Sequence, residues 1–156
     1  MAGQDVIGQT IKTQLETVTG IGQVHDRIRH AISQKDRDDL WISGGKINAW
    51  WVDREAAQDE PWSSNVAFIL HHQFVIVGVY GFDDVVSPGT TGSDIVFQDL
   101  VDAVLSKFRG QPTLFDTADV QLKRPLNARR IELVMFQSHL CHMAELAMQI
   151  DERIQI

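Results

Sequence analysis

Residues Asn65 to Phe82 (NVAFILHHQFVIVGVYGF) constrain the fold more than any other stretch. The run contains no Lys, Arg, Asp or Glu and is dense in Val, Ile, Phe and Tyr. Such side chains fit a pleated surface, where neighbours alternate between faces. Val66, Phe68, Leu70, His72, Phe74, Ile76 and Tyr80 then share one face. Ala67, Ile69, His71, Gln73, Val75, Val77 and Val79 share the other. Both faces are partly apolar, which predicts a central strand covered on both sides. Its length exceeds that of ordinary strands, so a bend or turn is expected near His71-His72 or Gly78. Its most apolar part, Phe74 to Phe82, is too short to span a bilayer.

Other elements arrange themselves around this strand. Ile7, Ile11, Leu15 and Val18 recur at helical spacing and predict a helix over Asp5 to Val18, broken by Gly20 and Gly22. Val24 to Ile32 is ambiguous, and Gln34 to Asp39 reads as a loop or a polar helix end. Gly44-Gly45 marks a turn into a strand over Ile47 to Val52, and Asp53 to Ser64 reads as a loop. Asp83 to Thr91 reads as an exposed loop. A helix capped by Ser93 or Asp94 then runs to Arg109, with Phe97, Leu100, Val101, Val104, Leu105 and Phe108 as its core stripe. Val120 to Arg124, the turn Pro125-Leu126-Asn127-Ala128, and Arg129 to Phe136 read as a hairpin. His139 to Ile156 fits a strand and a helix equally by periodicity, while propensity favours the helix.

A chain of 156 residues fits one domain spanning residues 1–156, and 44% hydrophobic with 22% charged residues is ordinary for a globular protein. Cys141 is the lone cysteine, which excludes an internal disulfide framework and an all-cysteine zinc cage. That usage is compatible with a reducing compartment. The first residues, Met1-Ala2-Gly3-Gln4-Asp5, lack the basic-then-apolar pattern of a signal peptide.

The net charge of −7 is unevenly placed. Glu55, Asp59, Glu60, Asp83, Asp84, Asp94, Asp99 and Asp102 fall within Glu55 to Ser106, a stretch with no Lys or Arg. Lys123, Arg124, Arg129 and Arg130 form a compact basic group further on. One reading is a solvated acidic face and a basic hairpin tip. The other is two complementary patches suited to head-to-tail contacts between copies. An acidic protein of this kind does not grip phosphate backbones tightly, yet it can surround nucleic acid.

Few residues suggest chemistry. His71, His72, His139, Cys141 and His142 include good ligands for zinc or copper. Strand neighbours face opposite ways, however, so His71 and His72 do not readily chelate one ion. There is no nucleophile elbow, and no glycine loop followed by Lys-Ser or Lys-Thr. Ser87 to Ser93 has two glycines before a helix, but Asp83, Asp84 and Asp94 nearby repel a phosphate. Trp50 and Trp51 lie on opposite faces of their strand, so one of them is a candidate interface anchor, with partly buried sheet residues as the alternative.

The order of elements is helix, strand, long strand, acidic loop, amphipathic helix, hairpin and final segment. The residues that carry it are Gly20-Ile21-Gly22-Gln23-Val24-His25-Asp26-Arg27 after the first helix, the strand His72 to Tyr80, the helix Ile95 to Phe108, and the closing stretch from Arg130-Ile-Glu-Leu-Val to Ala144-Glu-Leu-Ala-Met-Gln-Ile150. This pattern resembles the tail terminator (tail completion) proteins of tailed bacteriophages. The Trp41 to Trp62 region lies outside the resemblance. The likeness implies an α+β fold with a mixed or antiparallel sheet of about four to five strands, with the N-terminal and central helices packed on it and a strand at the end. It also implies a virion structural protein with no catalysis and no cofactor or metal, assembled in the host cytoplasm. Such proteins form hexameric rings that cap the tail tube, stop its polymerisation and dock to the head-side connector, with DNA only passing through and no membrane involved. Asp83, Asp84, Asp94, Lys123, Arg124, Arg129, Arg130, Trp50 and Trp51 are the candidate interface residues. The sequence leaves open whether the acidic residues line the channel or the subunit contact.

Overall fold

The long apolar run folds as one central strand. The computed structural model describes residues 4–27, 39–61, 67–83, 92–109 and 120–155. In chain order these form α1 (Gln4–Glu16), β1 (Gln23–His25), β2 (Ile42–Ser43), β3 (Lys46–Pro61), β4 (Ala67–Gly81), α2 (Ser93–Phe108), β5 (Val120–Phe136) and β6 (His139–Gln155). The fold is α+β. Its mixed sheet has the order β1-β3-β4-β6-β5, with β2 paired to β3 off this path. Only β1 runs parallel to its neighbour. Among the described residues that makes six strands, more than the four to five expected.

β4 pairs β6 from Ala67↔Gln155 to Gly81↔Cys141 with no slip, so neither His71-His72 nor Gly78 interrupts it. The irregularities lie in its neighbours. Glu55 is an extra residue in β3, between the pairs Arg54↔Phe74 and Ala56↔Gln73. β5 slips three times against β6, at Lys123, at Pro125-Leu126 and at Arg129. Such bulges bend a strand and increase its twist.

Two further expectations are corrected, and one that the sequence left open is decided. Asp53 to Pro61 continues β3 rather than forming a loop. Its side chains are polar because this half of the strand is exposed, while its backbone is held by the ladder to β4. Pro125 to Ala128 is no hairpin turn. It is absorbed as a bulge in one seventeen-residue strand, because β6 offers an unbroken template alongside. The hairpin instead joins β5 to β6 through Gln137 and Ser138, at φ 50° and 66°. Positive φ at both positions is the geometry whose twist matches the flanking strands, and its usual Asn-Gly signature is absent here. The final segment is a strand despite its helix propensity. Its alternation wins because the even positions from His142 to Glu152 are all buried.

The two faces of the sheet are covered differently. On the helix face, Ile7, Ile11, Leu15 and Val18 of the first helical segment pack with Phe97, Leu100, Val101, Val104 and Phe108 of α2. They meet Trp50, Val52, Phe74, Ile76, Ala144, Leu146, Met148 and Ile150 of the sheet. One row of the sheet reads Trp50, Gly78, Ala144, Ile131. A Cβ at Gly78 would sit 2.5 Å from the Trp50 ring, so glycine there admits the indole. On the opposite face a second cluster joins Trp41, Ile47, Ala49, Trp51, Val79 and Cys141 at one end of the sheet. The other end of that face carries His71, Gln73, Gln149 and Asp151 alongside Ala67 and Val75, which are buried.

Candidate functional site

β5 is the outermost strand of the sheet, and among the described residues only β6 pairs with it. Its helix-face positions Ile131, Leu133 and Met135 are 41%, 50% and 68% exposed. Opposite them on β6 lie Ala144, His142 and Leu140. Leu140 is itself 40% exposed, and its carbonyl accepts from the Phe82 N–H at 3.0 Å. Phe82 is exposed too, with its ring 5.5 Å from that of His142. Register and contacts thus join Ile131, Leu133, Met135, Leu140 and Phe82 into one apolar band beside an unpaired sheet edge. Contiguous exposed apolar surface of this kind marks an interaction site. None of these residues stands out in the sequence as an interface candidate. Their signal was an apolar side chain at every second position from Ile131 to Met135.

The band is continuous with a hydrogen-bonded junction. The Asp83 N–H donates to Ser93 Oγ at 2.8 Å, and that hydroxyl lies 2.9 Å from His142 Nε2. Ser93 is therefore the first residue of α2 and a tie to β4 and β6, not its cap. Gly92 occupies the cap position without a side-chain bond. Burial lowers the pKa of His142 from its ordinary value, with Asp94 opposing. An open hollow of about 360 Å³ adjoins the same corner, lined by Ile42, Lys46, Phe82, Asp83, His139 and Leu140 among others.

The expected acidic patch is dispersed. Glu55, Asp59 and Glu60 lie on β3, Asp83 follows β4 within 3.6 Å of Lys46 Nζ, and Asp94, Asp99 and Asp102 lie on α2. Asp84 falls outside the described residues. The basic group is likewise one strand, not a hairpin tip: Lys123, Arg124, Arg129 and Arg130 all belong to β5. Arg129 bonds Glu55 at 2.8 Å and Glu145 at 3.0 Å, and Arg130 bonds Glu132. These bonds raise both guanidinium pKa values, Glu55 contributing most for Arg129 and Glu132 for Arg130. β3 and β5 are three strand steps apart, about 14 Å in a flat sheet. Glu55 and Arg129 nonetheless meet, and each is the extra residue of a bulge, which re-aims its side chain.

Neither tryptophan is an exposed anchor. Trp50 is wholly buried beside Phe97, and Trp51 is buried against Trp41 and Phe136. Both faces are covered at their level, by the helices on one side and by the Trp41 segment on the other.

The sheet also separates the metal-ligating candidates. Cys141 packs in the second cluster, where burial pushes its thiol up to about 11, while His142 faces α2. His72 is buried on the helix face, with Nε2 2.9 Å from Glu152 Oε2. Its Nδ1 and Glu152 Oε1 have no partner among the described residues. His71 sits on the opposite face, with Nδ1 2.6 Å from Asp151 and Nε2 2.5 Å from Glu60. A neutral imidazole has one N–H, so serving both carboxylates requires the imidazolium. Its pKa is raised, Asp151 contributing most and Glu60 next. Among the described residues no group of three His, Cys, Asp or Glu side chains is arranged to hold a metal ion.

No protein-family model matches the chain, and no curated protein matches it. No helix among the described residues is long and apolar enough to cross a membrane.

Proposed function

We propose that this protein works by assembling with copies of itself into a ring that closes a phage tail tube. In this reading it is a virion structural protein of the tail terminator type. It stops tube polymerisation and docks to the head-side connector, with DNA passing through and no bond broken or formed. The observation that carries the reading is the apolar band of Ile131, Leu133, Met135, Leu140 and Phe82 beside the edge of β5 that no described strand pairs. Exposed edges template pairing with another chain unless they are blunted; β5 carries four bases, a proline and three bulges from Val120 to Arg130, but from Ile131 to Phe136 its one charge is Glu132. Ring assembly gives the edge a partner. The element order and the strand at His139–Gln155 fit the resemblance seen in the sequence.

The test is particle imaging of the purified protein, alone and with polymerised tail tubes. Rings, or densities capping tube ends, support the reading. Monodisperse monomers that ignore tubes overturn it. Rings that bind a head connector but not tubes favour a different neck or head-completion protein. Stoichiometric zinc, copper or iron, lost on Cys141→Ser or His142→Ala substitution together with a measured turnover, would move the protein to metalloenzymes.

A further inference from the structure

We infer that the outer edge of β5 in one copy pairs, antiparallel, with the free half of β3 in the next. This rests on the ring reading and names the surfaces that would build it. Among the described residues both strands have an edge with no strand beside it. β5 has none but β6 beside it, and β1 covers β3 only at Ala49 to Trp51, so nothing among the described residues pairs its outer side from Val52 to Pro61. Their directions fit as well. β3 is antiparallel to β4, β4 to β6, and β6 to β5, so β3 and β5 run oppositely. Copies set side by side with the same face forward therefore bring β5 against the next β3 as an antiparallel pair. The contact uses two different patches, which is the condition for a ring.

Charge selects the same pairing. From Asp53 to Glu60, β3 carries Asp53, Glu55, Asp59 and Glu60 against Arg54 alone. From Val120 to Arg130, β5 carries Lys123, Arg124, Arg129 and Arg130 and no acid. The two segments also lie at one height. Asp53, Val75, Ala147 and Asn127 form one row, and Ala57, His72, Ile150 and Leu122 another. Copies related without a shift along the strands thus set Lys123 and Arg124 level with Ala57 and Ala56, between Glu55 and Asp59. Pairing either segment with its own counterpart would oppose like charges, which is destabilising in a sheet. Within one chain the bridge from Arg129 to Glu55 already joins side chains of these strands.

Oxidative cross-linking tests the pairing. Ala57→Cys protein is mixed with Gln121→Cys, Lys123→Cys or Asn127→Cys protein, assembled with tail tubes and oxidised. Cys141 is fully buried and adds no background. The three β5 positions cover small slips in alignment, and a disulfide forms only where Cα atoms come within about 7 Å. A covalent heterodimer in at least one mixture, absent from each variant alone, is the expected result. Capped tubes by imaging with no heterodimer in any mixture overturn the edge pairing and leave the ring reading standing. Homodimers from the β5 variants alone overturn it in favour of a two-fold contact. A charge pair separates geometry from folding: Lys123→Glu should reduce the capped fraction at least several-fold, and adding Asp59→Lys should restore it. Unchanged capping by Lys123→Glu counts against the pairing.

Discussion

At the residue scale, two adjacent histidines show how a strand divides chemistry. His71 bridges Glu60 of β3 and Asp151 of β6, tying three strands through one charged ring. Its pKa is raised above 6.5, so its stabilisation is complete below that value and disappears as pH climbs through the raised one. The stability gap between wild type and His71→Gln should therefore be large near pH 6 and at least halved by pH 9, as read by denaturant unfolding. A pH-independent gap would show that the bridge is not ionic. His72, one position on, meets Glu152 in the core. Glu152→Leu alone leaves a buried imidazole unpaired and should cost about 1–3 kcal/mol. Adding His72→Leu should recover a substantial part of that loss in the same unfolding assay, because two apolar side chains leave nothing unsatisfied. The sequence made the opposite-facing geometry of this pair legible. Their acidic partners were not, because Glu60 lay in a presumed loop and Glu152 in a segment of undecided type.

At the element scale, hydrophobic pattern located α1, α2 and β4 well, since each buries one stripe or both faces. It failed where a strand is exposed. The polar half of β3 is a strand only because β4 lies beside it, and β5 crosses Pro125 because β6 supplies the template. Long-range pairing of this kind leaves no mark on local composition. The two-residue turn at Gln137-Ser138 was hidden for a related reason: neither residue is the Gly or Asn that usually announces positive φ. Gly78 offers a test of the packing that aligns these strands. A methyl group there would press on the Trp50 ring, so Gly78→Ala should destabilise by about 1–3 kcal/mol, the range for overpacked cores. A thermal melt unchanged by the substitution would mean that the indole has another place to go.

At the scale of the whole molecule, the features on which the proposed assembly rests lie at the margins of the sheet. The sequence showed opposite charges in two stretches but not where they fold, and it drew attention to tryptophans that turn out to be buried. The exposed band was missed because Ile131, Leu133 and Met135, apolar at every second position of a strand, look like core residues until their exposure is seen. Leu133→Asp and Met135→Asp should leave monomer stability within about 0.5 kcal/mol, as is usual for exposed sites. Both should abolish self-association in sedimentation and tube capping in images. A variant that still caps tubes normally would remove the band from the assembly surface.

The strand order has a consequence for how the chain is made. β6 emerges from the ribosome after every other described element, yet it takes the place between β4 and β5. Until residues 139–155 are synthesised, β4 has one open flank and β5 has no neighbour at all. Closing the sheet requires contacts far apart in the chain, the slow kind of folding step. A nascent or prematurely stopped polypeptide thus lacks the very scaffold on which β5 is laid out. If the protein assembles as proposed, competence to join other subunits is withheld until translation has passed β6, which would keep unfinished chains out of the particle.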